Sequence, residues 1–472
     1  MYSDYLWMQA LRCANRVGSA VHSGLPHHVI RRGRHVCTGN NTPSHDSLSD
    51  DNTGPFIPQS NKYRAEYENA VSLSSRVFKL AGAELRSARL SVSSGFPSAT
   101  ISADKHNALE RLISMFRERI VSQVQTDNPQ INNVTKYVLT SKSKLFRPKL
   151  GLMIARLLSG RSAVIPNSGS VQKSGVTNGS HAESIETSEM ERSQAITYDD
   201  MSAQDIDRIL RLLQSYEIVH VGSLVHDDIL DNAMMRRSVP ALHVKEGTKM
   251  AVLVGDLMLT RACSTVANLG SQLLTIRMAK ALENLVKGEI TQVEASYNVD
   301  NMLCDYLKKT FMKTASLMAE CCASIASLLS QDEVTCHKCY LIGLHVGMAF
   351  QIYDDLLDYE SHSTKLGKPT LNDLSSGLIT MPLIMALPES PELGTLLADG
   401  TVKSGNVETV LPYINASEAF ERSRCAVMMH LAEVSRLLHG VDKNEAAPGR
   451  PLSESAQSLL QFVYDTLTRI KG

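Results

Sequence analysis

Apolar positions recur along most of this chain at intervals of three and four. Segments 106–124 ("HNALERLISMFRERIVSQV"), 205–230 ("DIDRILRLLQSYEIVHVGSLVHDDIL"), 250–269, 273–297 and 312–329 all show this spacing, and sustained alternation at period two is scarce. Several segments are apolar nearly all round, which suits the centre of a large helical bundle better than its surface. The pattern therefore predicts an all-α fold.

Two stretches break it. Residues 1 to about 40 carry Arg12, Arg16, Arg31, Arg32 and Arg34 against the single acid Asp4, and "YLWMQALRCA" can form a basic amphipathic helix. This composition reads as a mitochondrial transit peptide. A polar, turn-rich linker follows, so that residues 1–60 stand apart and 61–472 form the folded domain. Within that domain, residues about 159–194 are low in complexity and read as a disordered surface insertion. Closing such a loop costs little extra entropy.

Bulk composition narrows the function classes. The chain has 472 residues, 43% of them hydrophobic, enough for a sizeable core. With 48 basic and 49 acidic side chains the formal charge is −1, so nothing points to nucleic-acid binding by phosphate neutralisation. The nine cysteines are scattered and odd in number, which fits a reducing interior. Cys336 and Cys339 form one CxxC without a second pair at zinc spacing, and read as small buried residues on a helix. The apolar stretch 341–353 ("LIGLHVGMAFQIY") is shorter than the roughly 20 residues a bilayer needs, so no membrane span is expected.

The candidate chemistry lies in two similar acidic turns, "SLVHDDILD" and "FQIYDDLLD". Asp227 and Asp231 are four residues apart, and so share a helix face, with Asp228 beside them; Asp354, Asp355 and Asp358 repeat the spacing. One such turn alone would read as a solvated acidic face. Two copies, each following an apolar turn, call for a cation that offsets the repulsion. Oxygen-only ligands select a hard divalent ion, and Mg²⁺ takes one or two carboxylates together with waters and substrate phosphates. Lys144, Arg147, Arg236, Arg237, Lys313 and Lys368 lie near these turns or in other polar motifs and could bind several phosphates. No Walker loop or GxGxxG accompanies them.

Taken together, "LFRPKL", "EIVHVGSLVHDDILDNAMMRRS", "VLVGDLML", "KGEITQ", "KTASL", "GMAFQIYDDLLD" and "LGKPTLNDLSSGLITMP" resemble the trans-prenyltransferases, specifically long-chain all-trans polyprenyl diphosphate synthases. The resemblance runs from about residue 104 to the C-terminus apart from the insertion. It implies the isoprenoid synthase fold, a helical bundle around a central cavity. It also implies Mg²⁺-dependent condensation of isopentenyl diphosphate onto an allylic diphosphate, farnesyl or geranylgeranyl, for a ubiquinone side chain. By position, Asp227, Asp231 and Asp354 resemble the family's metal ligands, with Asp228, Asp355 and Asp358 as ligands or support. Arg236, Lys313 and Lys368 resemble contacts to the allylic diphosphate. Lys144, Arg147, His220 and Arg237 resemble the isopentenyl diphosphate pocket; without the family, His220 would read as a core histidine. Thr314 and Gln351 resemble the polar pair that stabilises the carbocation.

Short-chain relatives carry bulky aromatics four and five residues before the first Asp, where this chain has Ser223 and Gly222, so a long product is expected. Departures from the family pattern are Lys142 and Ser143 in place of a glycine pair, Ser238 in place of a glycine, and Leu378 where many relatives have lysine. A homodimer or a heteromer is expected, with at most peripheral membrane contact for product release. Two other readings stay open: a terpene cyclase, which would carry an Asn/Ser/Glu motif in place of "DDLLD", and a non-catalytic subunit, which would be expected to lose the aspartates.

Overall fold

The computed structural model describes residues 103–141, 143–159, 201–293, 302–363, 371–402, 406–442 and 452–468. The leader and linker over 1–60, the insertion beyond Ser159, Lys142 and Lys368 lie outside the described residues.

Helices follow the apolar periodicity. The first part comprises α1 (Ala103–Ile120), α2 (Pro129–Leu139), α3 (Phe146–Leu158) and α4 (Ala203–Leu230). After α4 a short hairpin, β1 (Met235–Arg236) with β2 (Val239–Pro240), leads to α5 (Leu242–Glu246), α6 (Thr248–Ala267) and α7 (Gln272–Val293). Then α8 (Met302–Thr310) runs through a π turn, Phe311–Ala315, into α9 (Ser316–Leu328), followed by α10 (Glu333–Ser363). The smaller α11 (Asn372–Ser375), α12 (Met381–Ala386), α13 (Pro391–Ala398) and α14 (Val407–Ala416) precede α15 (Ala419–His439) and α16 (Glu454–Thr468).

Local sequence sets the ends of these helices. Asn128 caps α2 by accepting from the Gln130 and Ile131 amides, with Pro129 at the first helical position. Ser202 caps α4, accepting from the Asp205 amide at 3.0 Å. The other end of α4 closes on a left-handed Asn232 (φ 51°). There the Asn232 amide donates to the Ile229 carbonyl and the Ala233 amide to the Asp228 carbonyl, a Schellman closure directly after the first acidic turn.

The innermost helix is α9. Every residue from Thr314 to Ala326 is buried, as expected of a segment apolar on all sides. It packs against α10, α7, α3 and α4. Gly347 lets α10 come this close to the π turn, since a Cβ there would lie 2.5 Å from the Ala315 Cα. Cys336 and Cys339 are buried on α10, as the sequence reading holds. The stretch 341–353 also belongs to α10. A different helix, α6, is the one candidate among the described residues that is long and apolar enough to cross a bilayer, with a mean hydropathy of 1.4 and a third of its apolar window buried. Here α6 lies along α4 and α7 within the bundle.

Candidate active site

One cavity of about 1070 Å³ opens between α3, α4, α6, α7, α8, α10 and α16. Each wall is a helical stripe. On α4 the lining residues include Glu217, His220, Ser223, Leu224 and Asp227, which follow one helical stripe; on α7 they include Leu282, Leu285, Val286, Glu289 and Ile290; on α8 and the π turn, Tyr306, Lys309, Thr310, Lys313 and Thr314. From α10 come Phe350, Gln351, Asp354 and Asp355. Charged groups gather where α4 ends, while Leu259 and the leucines of α7 supply an apolar wall.

Both acidic turns therefore reach the same space, through Asp227 and Asp354. Burial raises the Asp227 carboxyl to about 6 against the opposing pull of Lys313. Asp354 opens onto the cavity, and the surrounding protein, with Asp373 and Asp358, raises its carboxyl too. Asp227 also sits in the last turn of α4, where the helix dipole disfavours an anion. These carboxylates are short of positive charge.

The remaining four aspartates differ in placement. Asp228 is buried and held by Arg236, whose Nε donates to its Oδ1 at 2.8 Å and whose Nη2 donates to the same oxygen. It orients Arg236 rather than facing the cavity. Asp355 accepts from the Tyr306 hydroxyl (2.7 Å), the Gln351 amide (3.0 Å) and the Met381 backbone amide (2.9 Å), so its oxygens are committed to α8, α10 and α12. Asp231 is the exposed C-cap of α4, outside the lining. Asp358 accepts from the Asp373 amide at 3.3 Å.

Thr314 and Gln351 do form a pair: the Thr314 hydroxyl donates to Gln351 Oε1 at 2.8 Å. With Gln351 donating onward to Asp355, the amide is locked in one orientation. Lys313 pairs with Glu289 and donates to Gln292 Oε1 at 3.1 Å. Gly288 makes room for it, since a Cβ there would sit 2.7 Å from the Lys313 Cγ.

Lys144, Arg147, His220 and Arg237 line the other polar flank. Leu145, between Lys144 and Arg147, is a left-handed residue (φ 48°), so the chain turns sharply before α3 and both basic side chains face one space. Arg147 lies over the Phe350 ring at 5.9 Å, and Phe350 and Phe462 both stack on Phe146. Arg237 donates to the Ser141 hydroxyl at 3.1 Å. Burial, and then the neighbouring Arg147, Arg237 and Arg236, hold the His220 pKa well below the usual imidazole range, so its ring is neutral. It is a hydrogen-bonding group and not a cation. Of the departures, Ser143 and Leu378 line the cavity, and Ser238 occupies the hairpin turn at φ 67°.

Gly222 departs from the expectation of an open position along the tunnel. A Cβ on Gly222 would meet Leu259 at 3.3 Å and Met258 at 3.4 Å, so this residue marks the crossing with α6. Position 222 is rotated about 140° from Asp227 around the helix, whereas position 223 is rotated only about 40°. Ser223 alone of the two lines the cavity.

Several lining residues had no role assigned from the sequence. Glu217 is buried on the His220 stripe, and burial raises its carboxyl against the opposing charges of Arg147 and Arg237. Asp373, raised to about 6 by burial and then by Asp355 and Asp358, joins the acidic end. Lys309, Tyr306, Glu289 and Phe462 are others. Stripe spacing back from Asp227 would have found Glu217; nothing local marks Phe462, which arrives from the C-terminal helix.

The donor set suits a hard divalent ion. Among the described residues no group of three His, Cys, Asp or Glu converges closely enough to hold an ion unaided. Paired carboxylates that leave coordination places for water and substrate phosphate match Mg²⁺ better than a closed protein cage would.

Known proteins share these features. The sequence profile of the polyprenyl synthetase family matches residues 128–414. A mitochondrial solanesyl-diphosphate synthase of Oryza sativa is 31% identical over 361 residues, 76% of this chain and 77% of its own. A probable mitochondrial hexaprenyl pyrophosphate synthase of Neurospora crassa is 32% identical, over 73% of this chain and 77% of its own. A Caulobacter crescentus polyprenyl synthase, solved with calcium and isoprenyl diphosphate, superposes with a TM-score of 0.61 at 22% identity, over 79% of this chain and 99% of that chain. This chain is a member of the polyprenyl synthetase family, a prenyltransferase on the isoprenoid synthase fold.

Proposed function

We propose that the enzyme is a mitochondrial, Mg²⁺-dependent synthase of a long all-trans polyprenyl diphosphate that serves as a ubiquinone side chain. Its residues 1–60 would be the leader and linker, and 61–472 the synthase domain. The observation that carries this reading is the joint opening of Asp227 and Asp354 onto a cavity with a second, arginine-rich flank and an apolar wall.

This arrangement supports a reading with two anchored diphosphates. The allylic one lies between Asp227 and Asp354, with Lys313 and the Asp228-braced Arg236 on its oxygens, and Lys368 is expected to join them. Mg²⁺, when bound, supplies charge neutralisation for the leaving diphosphate. Arg147, Arg237, Lys144 and neutral His220 hold isopentenyl diphosphate, so its double bond meets the allylic cation before water does. The oriented Gln351 oxygen, with Thr314, faces the developing positive charge. The departing diphosphate then takes the proton. Each five-carbon unit buried along α6 and α7 stabilises the product by roughly 4 kcal/mol, at about 0.8 kcal/mol per carbon, so length is limited by space.

The same two helices also support a second copy as partner. Val252 and Leu253 on α6 and Leu273 and Ile276 on α7 are exposed apolar residues outside the cavity lining, and such a patch commonly marks a protein interface.

Incubation with Mg²⁺, labelled isopentenyl diphosphate and farnesyl or geranylgeranyl diphosphate, followed by sizing of the dephosphorylated products, tests the activity. Chains longer than the starter by several units are expected. Asp227→Ala and Asp354→Ala should each lower turnover by orders of magnitude with near-native melting; near-normal turnover in either would contradict the roles given.

A further inference from the structure

The acid-rich end of the cavity contains one amine without a role in the chemistry above. Lys309 lies on α8 one turn before Lys313, and both line the cavity. Lys313, assigned above to the allylic diphosphate, also pairs with Glu289 and donates to Gln292. Lys309 has neither an ion pair nor a hydrogen bond among the described residues, and its ammonium rests 5.7 Å from the centre of the Tyr306 ring.

That ring is itself fixed, because the Tyr306 hydroxyl donates to Asp355. A cation over a fixed aromatic face keeps its stem in place while its head stays available. Burial weakens the hold of Lys309 on its proton, and the charges nearest to it are Asp355, Lys313, Asp373 and Glu289. Of these acids, Asp355 already has its oxygens filled by Tyr306, Gln351 and Met381, and Glu289 already has Lys313. Lys309 is therefore not needed to complete either, and Asp373, although it attracts the ammonium, makes no ion pair with it among the described residues. Partial desolvation of an ammonium that lacks a contacting anion is unfavourable, and the deficit is relieved when an anion enters the cavity.

We propose that Lys309 binds a non-bridging oxygen of the diphosphate group held between the two acidic turns, beside Lys313. This rests on the reading of the cavity as a diphosphate site. The group it meets belongs either to the allylic substrate or to the inorganic diphosphate that leaves, and Lys serves both as a point charge without demanding one geometry.

The test compares wild type, Lys309→Met and Lys309→Arg. Calorimetric titration of inorganic diphosphate in the presence of Mg²⁺ is combined with separate KM values for the allylic diphosphate and for isopentenyl diphosphate. The expected result for Lys309→Met is about a tenfold loss in inorganic diphosphate affinity, allylic KM or both, with the isopentenyl KM within about twofold of wild type. Lys309→Arg should recover most of the loss. A change only in allylic KM assigns the contact to the substrate, and one only in inorganic diphosphate affinity assigns it to the leaving product. Wild-type values for both, or equal rises in both KM values with a matching fall in melting temperature, would overturn the proposal. Failure of the wild type itself to bind diphosphate or turn over would instead count against the underlying assignment of the cavity.

Discussion

Single residues carry strain at both polar flanks of the cavity. Leu145 and the neighbours Arg237 and Ser238 all have positive φ, at 48°, 52° and 67°, although none is glycine. The last two form the tight link between β1 and β2, a position where glycine is ordinarily favoured. The hairpin holds Arg236 against Asp228 and Arg237 against Ser141, so a costly turn coincides with placement of the basic pair. Ser238 is exposed. Ser238→Gly is therefore expected to raise stability by about 0.5–1 kcal/mol in urea denaturation, by removing the Cβ penalty at this φ; a loss of stability would show that the hydroxyl matters more than the backbone.

At the scale of elements, helix crossings decide which side chains reach substrate. The π turn at Phe311–Ala315 widens the helix at Lys313 and Thr314, and Gly347 lets α10 lie directly against it. Gly347→Ala is expected to cost about 1–3 kcal/mol through overpacking. It should also lower kcat, since the shift falls on Lys313, Thr314 and Gln351; melting and steady-state kinetics on one preparation would check both effects. The crossing of α4 with α6 yields a second pair of outcomes. Ser223→Phe projects into the cavity and should shorten the product in the sizing assay. Gly222→Phe projects at Leu259 and Met258, and should lower the melting temperature before it changes product length. Shorter products from stable Gly222→Phe, with unchanged lengths from Ser223→Phe, would reverse this assignment.

Over the whole molecule, folding gathers more acid into one desolvated region than the protein can neutralise. Asp227, Asp355 and Asp373 are each raised to about 6 by burial. In the metal-free fold these groups keep protons that the unfolded chain releases near pH 4. Their contribution to stability is therefore present below about pH 4 and is lost as pH rises through 6. A divalent cation binds the ionised form. Mg²⁺ binding should thus release protons at pH 6 and release almost none at pH 8. Binding enthalpies measured in two buffers of different ionisation enthalpy would show this, and buffer-independent enthalpies at pH 6 would contradict it.

The helical class and the pairing of two acidic turns were legible in the chain alone, because period, charge and spacing are local properties. Thr314 and Gln351 were paired only through the family resemblance, since local spacing does not link residues so far apart in sequence; their 2.8 Å contact joins the π turn to α10. Local spacing could not show that Asp227 and Asp354 open onto the cavity while Asp228 turns to Arg236 and Asp355, though it also borders the cavity, has its oxygens taken by Tyr306, Gln351 and Met381. Adjacent aspartates on one helix differ by about 100° in direction, and which direction faces a void depends on the neighbouring helices. Packing likewise turned Gly222 toward α6, brought Phe462 in from the C-terminal helix and left Lys309 over Tyr306 without an ion pair among the described residues. Those outcomes depend on contacts between residues far apart in the chain, so the fold alone could decide them.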